Sequence, residues 1–172
     1  KEVVITSSIT SIGEHAFENT AITVPNKGTF TIPNACSGIG SYAFARVPFN
    51  APVSLCTNLF EIPEYLFYNS TITRITYSGG DSSKNSFHSK VTSIGQHAFD
   101  KSELEGQLDL HENIQSISAY AFKATKIAGS ITLPEGLTTI SKFAFYNCTG
   151  INGNIIIHQS LTIIGDRAFE GT

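Results

Sequence analysis

The chain has 172 residues, of which 41% are hydrophobic and only 15% charged, with a net charge of -3. That is enough apolar material for the core of one folded domain and excludes a highly charged disordered chain. The slight negative charge gives no electrostatic basis for binding nucleic acid or an anionic membrane. No apolar run approaches the roughly 20 residues needed to span a bilayer, and the first residues carry no basic segment followed by an apolar one, so no signal peptide is read there.

In chain order, one signature recurs: Ile, a small residue or Pro, two variable residues, a small or apolar residue, Phe. It first occurs at Ile12–Phe17, then at Ile39–Phe44, Ile62–Phe67, Ile94–Phe99, Ile117–Phe122, Ile140–Phe145 and Ile164–Phe169. The anchoring Phe residues are separated by 27, 23, 32, 23, 23 and 24 residues, a basic period of 23 with insertions of 4, 9 and 1. Slots are numbered below from the Phe.

Slot -12 holds Ile5, Ile32, Leu55, Phe87, Leu110, Leu133 or Ile157, often with an apolar residue two places earlier. Such alternation predicts a short strand with one face inward. Slot -8 holds Ile9, Cys36, Leu59, Val91, Ile114, Leu137 or Leu161, and a further apolar residue follows the Phe by about five. No single repeat can bury these side chains alone, so the repeats must stack, like residue on like residue. The predicted fold is a right-handed solenoid of about seven 23-residue repeats over residues 1–172, with short parallel strands on one face and turns and short helical pieces around the Ala-Phe pairs on the other.

The Ala before the Phe, replaced only by Leu66, marks a crowded position where a larger side chain would push coils apart. The Gly after the Ile in four repeats suggests a sharp turn with positive φ; Pro63, Ser118 and Ser141 occupy the same slot. In the fourth repeat, Ile75-Thr76-Tyr77 is the preferred strand and about 78–90 an inserted loop. The alternative strand, Asn85-Ser86-Phe87, would bury an amide, which is costly without partners. Both chain ends fall inside a repeat without a polar cap, so a fragment of a longer array is expected.

The stretch Leu133-Pro134-Glu135-Gly136-Leu137-Thr138-Thr139-Ile140-Ser141-Lys142-Phe143-Ala144-Phe145-Tyr146-Asn147-Cys148 resembles the BspA-like, or Treponema-type, leucine-rich repeat, whose pattern is roughly I-P-x-x-V-T-x-I-G-x-x-A-F-x-x-C. The resemblance extends over all seven copies, although Cys stands in its family slot only at Cys148 and the Pro after the strand only at Pro33 and Pro134. It implies a secreted or cell-surface protein of a bacterium or microbial protist, acting in adhesion. It implies no catalytic centre, so no functional residue is carried over.

No phosphate loop, nucleophile elbow, zincin helix or Cys-x-x-Cys pair is present, so no enzyme activity and no cofactor is expected. Cys36, Cys56 and Cys148 fit no metal spacing and read as packed thiols. His15 and His97 share slot -2 with Tyr42, Tyr65, Tyr120 and Phe143, a slot for packed flat rings. His88, His111 and His158 share slot -11, but no carboxylate or thiol recurs beside them, so no metal site is read. Glu103, Glu105, Asp109 and Glu112 form a solvated acidic stretch. The sequons at Asn69 and Asn147 share a slot, which points to a turn requirement as much as to glycosylation.

The outward slot at the centre of the strands holds Val4, Thr31, Ser54, Thr76, Asp109, Thr132 and Ile156. This ribbon is the candidate contact surface, with Thr31, Ser54, Thr76, Asp109, Thr132 and Ile156 the candidate binding residues and the inserted loop the second candidate. The expected partner is a protein or glycan on a host or neighbouring-cell surface. A monomer is expected, with end-to-end stacking of molecules open to uncapped ends. The alternative is a spacer with no ligand of its own.

Overall fold

A computed structural model describes residues 2–24 and 28–172. The chain forms a parallel β-solenoid with one coil per signature, and every strand pairing is parallel. The expected strands form one row: Phe30–Thr31, Pro52–Leu55, Arg74–Tyr77, Asn85–Ser86, Leu108–Asp109, Ile131–Thr132 and Ile155–Ile156. A second row, not foreseen from the sequence, runs through the signature Ile residues: Ser11–Ile12, Gly38–Ile39, Glu61–Ile62, Ser93–Ile94, Ser116–Ile117, Thr139–Ile140 and Ile163–Ile164. A third, short row pairs Glu105–Gly106 with Lys126–Ile127.

The expected helical pieces are absent: among the described residues no helix occurs, and the Ala-Phe segments are successive tight turns. The reason lies in the backbone. In each coil the residues at slots -2 and +2 have positive φ, for example His15 at 55° and Asn19 at 56°, or Phe143 at 57° and Asn147 at 56°. Left-handed residues four apart cannot belong to a right-handed helix. They turn alternate peptides, so that the N–H groups of slots -2, 0 and +2 point along the solenoid axis. His15, Phe17 and Asn19 donate to the carbonyls of Ser41, Ala43 and Ala45 in the next coil at 3.0, 2.8 and 3.0 Å. The same three rungs repeat through the stack, down to Asn147 on Glu170.

This also corrects the reading of the slot -4 glycines, none of which has positive φ. At Gly40, Gly95 and Gly165 the preceding coil is close: a Cβ on Gly95 would lie 2.7 Å from the backbone of Ile62 and Glu64, whereas one on Gly13 would meet nothing. The bond from this slot to the preceding coil measures 2.8 Å from Gly40, Gly95 and Gly165, 3.0 Å from Ser118 and 3.2 Å from Ser141. Pro63 has no N–H and makes none. Accordingly the second row divides there: Ser11–Ile12 pairs with Gly38–Ile39, and a separate five-stranded sheet begins at Glu61–Ile62.

Inside, the anchoring Phe side chains stack face to face from Phe17 to Phe169, with centroids 5.2 to 5.9 Å apart and planes within 18°. The spacing is 5.2 or 5.3 Å except around Phe67, where it is 5.9 and 5.8 Å. Leu66, fully buried beside Phe67 where the other coils have Ala, accounts for the wider gaps. A second ring stack at slot -2 runs His15, Tyr42, Tyr65, His97, Tyr120, Phe143, with centroids 4.3 to 4.9 Å apart.

In the fourth repeat both alternative strands exist. Arg74–Tyr77 pairs with Pro52–Leu55, and Asn85–Ser86 pairs with Leu108–Asp109. The inserted loop is therefore shorter than the 78–90 expected, spanning 78–84. Asn85 is fully buried, but its amide is paired: Oδ1 accepts from Ile75 N–H at 3.0 Å, and Nδ2 donates to the carbonyls of Glu105 and Gln107 at 2.7 and 3.2 Å. Those bonds remove the cost that argued against the second strand.

Two predictions follow from the stack. Phe122, fully buried between Phe99 and Phe145, should lose about 3–5 kcal/mol on Phe122→Ala, whereas terminal Phe169→Ala should lose about 1 kcal/mol; urea unfolding compares the two. Ala124 stands at φ 54° and is exposed, so Ala124→Gly should raise stability by about 0.5–1 kcal/mol in the same assay, because glycine adopts this φ without the steric cost.

Candidate functional site

The candidate residues of the first strand row fall partly into one line. Thr31, Ser54 and Thr76 are in register across a three-stranded sheet. Beyond the insertion, Asp109 is in register with Ser86 instead of Thr76, and Thr132 with Ile156. Thr31, Asp109, Thr132 and Ile156 are exposed, Ser54 and Thr76 half-buried, and Ser86 buried. The ribbon is thus divided among three sheets, Thr31–Ser54–Thr76, Ser86–Asp109 and Thr132–Ile156, and ends on an exposed Ile. In the inserted loop Asp81 accepts from the Ser83 N–H and hydroxyl at 2.8 and 2.6 Å, which hold its carboxyl below the usual range. Arg74 donates to the Ser82 carbonyl at 2.9 Å.

The histidines are placed by packing and capping. His15 and His97 stack in the slot -2 ring ladder, each with Nδ1 2.6 Å from a carboxylate, Glu18 and Asp100 respectively. In slot -11, Nδ1 of His88 accepts from Lys90 N–H and Nδ1 of His111 from Asn113 N–H. Burial lowers the His111 pKa. Among the described residues no three His, Cys, Asp or Glu side chains converge as a metal site would require. The acidic stretch is partly neutralised, since Glu103 pairs with Lys126. Asn69 and Asn147 both occupy the left-handed slot +2, at 50° and 56°, so the turn alone accounts for the recurring Asn.

All three cysteines are buried and unpaired. Burial, reinforced by neighbouring Cys36, pushes the Cys56 thiol from 9.0 up to about 12. Burial pushes Cys148 from 9.0 up to about 11, against the opposing effect of Thr125. Two outcomes are expected. Iodoacetamide at pH 8 should label neither thiol in the folded protein and all three cysteines in denaturant. The folded state also keeps protons that the unfolded chain releases, so stability should be level below about pH 9 and fall as pH rises towards 11–12; urea midpoints from pH 7 to 11 check the sign.

The second strand row presents a face that sequence reasoning missed. Its outward slots -7 and -6 hold mainly Thr, Ser and Gly, but in the third coil they hold Phe60 and Glu61. The Phe60 side chain is 67% exposed, and its carbonyl is fixed by two bonds from Thr92, 2.8 Å from N–H and 3.2 Å from Oγ1. Around Pro63, where the ladder is broken, an open cleft of about 290 Å³ crosses three successive coils, lined by Ser37-Gly38-Ile39, by Phe60, Glu61 and Pro63, and by Thr92 and Ser93. It adjoins a shallow groove of about 500 Å³ that reaches Glu64 and Ser118. The signal in the sequence was a single aromatic in a slot otherwise filled by Thr10, Ser37, Thr92, Gln115, Thr138 and Thr162.

Coils of one plan, stacked through a common core and displaying open sheet faces, define a solenoid repeat protein. The sequence matches the BspA type leucine rich repeat region, six copies, over residues 1–87 and 77–172, and the chain belongs to that family. A solved leucine-rich repeat protein from Bacteroides ovatus is 18% identical, with 99% of this chain and 76% of that one covered and a TM-score of 0.27. No curated protein matches the chain. No helix among the described residues is long and apolar enough to cross a membrane.

Proposed function

We propose that the chain is a non-catalytic binding module of a secreted or cell-surface protein, used in adhesion, that recognises a protein or glycan on a host or neighbouring-cell surface. The observation that carries this reading is the registered row Thr31–Ser54–Thr76, continued by Asp109 and by Thr132 beside Ile156. Each of these side chains stands on a strand hydrogen-bonded to at least one neighbour, Ser54 to two, and such backbone needs little ordering on contact. Membership of the BspA-type family supports an interaction role. A spacer role is the second reading, favoured by the small, nearly uncharged character of the same row.

The test is binding of the purified chain to an immobilised panel of matrix proteins, mucins and glycans. Saturable binding is expected. Combining Thr31→Lys, Thr76→Lys and Thr132→Lys should weaken it at least about tenfold without altering the unfolding midpoint. A folded chain that binds no surface on the panel favours the spacer reading.

A further inference from the structure

We infer that the cleft beside Phe60 and Glu61 is a second recognition site, on the second sheet row, for an exposed arginine side chain of a protein partner. It goes beyond the strand-ribbon reading and shares no residue with it.

Three observations meet at this place. The inter-coil ladder is open here because Pro63 has no N–H. The carbonyls of Ile12, Ile62, Ile94, Ile117 and Ile140 each accept a bond from slot -4 of the next coil, but Ile39 receives none from Pro63. An aromatic ring stands largely in solvent at the rim, on a backbone that Thr92 holds in place. The charged residues lining the cleft and its groove are Glu61 and Glu64, with no Lys or Arg among them. Lys90, two residues before Thr92, is engaged by Asn58 Oδ1 at 2.8 Å.

A planar guanidinium fits each of these features. It stacks on an aromatic face, forms paired hydrogen bonds with a carboxylate, and has N–H donors left for an unpaired carbonyl such as Ile39. A lysine ammonium lacks the flat face and the fork. A neutral sugar would use the ring but not the charge.

Nothing in the stack calls for Phe60, Glu61 or Pro63, and the molecule itself supplies replacements. Thr92 and Ser93 occupy the first two slots in the fourth coil, and Ser118 occupies the third in the fifth coil. The variants Phe60→Thr, Glu61→Ser and Pro63→Ser therefore keep the repeat pattern, and Pro63→Ser also restores the donor that closes the ladder.

The experiment is titration of the 15N-labelled chain with a blocked pentapeptide of four glycines around a central arginine, followed by amide shifts. Matched peptides with central glutamine or lysine, and methyl glucoside, serve as comparators. The arginine peptide should shift amides at 37–39, 60–62, 64 and 92–95 with a millimolar Kd, and the lysine peptide should bind more weakly. Phe60→Thr and Glu61→Ser should each weaken arginine binding at least about fivefold with unchanged unfolding midpoints, and Pro63→Ser should abolish the shifts with a midpoint no lower than the parent's. Any of the following overturns the proposal: no shifts with arginine, equal shifts with glutamine, preferential shifts with methyl glucoside, or full affinity in any of the three variants. The lysine-substituted ribbon should bind the peptide normally, so failure of the ribbon reading and failure of this one are separable.

Discussion

The structure depends on one constraint: alternate peptides of each coil must turn their N–H groups along the stacking axis. The three rungs at slots -2, 0 and +2 satisfy donors that would otherwise be buried beside the Phe ladder. Turning them costs two left-handed residues per coil. Asn and Gly meet this cheaply at Asn19, Asn69, Asn147 and Gly171, while His15, Tyr42, Tyr65, His97, Tyr120 and Phe143 meet it at some expense. Those rings are the ones that stack at 4.3 to 4.9 Å in the outer ladder, so packing between coils offsets backbone strain within each. The same short axial repeat explains why slot -1 is Ala and why slot -4 admits Gly readily, Ser with a longer bond and Pro with none.

Because each coil is stabilised mainly by its two neighbours, the molecule is nearly one-dimensional. Side chains that are buried in the middle coils are open in the last one: Ile164 is half exposed, whereas Ile117 and Ile140 in the same slot are buried. In the interior, hydrogen bonds and rings fix the outward residues at regular intervals along the axis. That regularity suits the faces for contact with an extended partner, since little conformational entropy remains to be lost on binding.

The repeat itself was legible because each slot is a ladder in which apolar identity recurs seven times, which amounts to an internal alignment. The first strand row was legible for the same reason, as at Leu108 and Leu110. The second row was not: strands such as Ser93–Ile94 are two residues long, too short for alternation to appear. The tight turns were misread as helical because the turns impose a spacing of apolar residues that a helix would also allow; the left-handed φ of Tyr120 or Lys101 has no compositional mark. Asn85 was misjudged because its three partners lie 10, 20 and 22 residues away. As to the candidate surface, the Thr31–Ser54–Thr76 register followed from the strand prediction, but the displacement of Asp109 onto Ser86 depended on that same amide.

In a ladder of interchangeable coils, residues that serve the fold are those that repeat, and the informative residues are departures that the stack does not require. Leu66 departs too, but it fills the core and expresses itself in the wider ring spacing around Phe67. Phe60, which is exposed, and Pro63, which is buried but removes a ladder donor, differ in kind. An exposed phenyl gains nothing from burial, and a missing slot -4 donor forgoes about 1 kcal/mol of hydrogen bonding. Both stand in the same coil and border the same cleft, beside a carboxylate with no cation lining the cleft. A local loss of ladder energy placed next to an exposed aromatic and an acid is the pattern expected where structure gives way to recognition. The third coil, more than the regular ribbon on the first sheet row, is therefore where this solenoid carries information that its repeat does not.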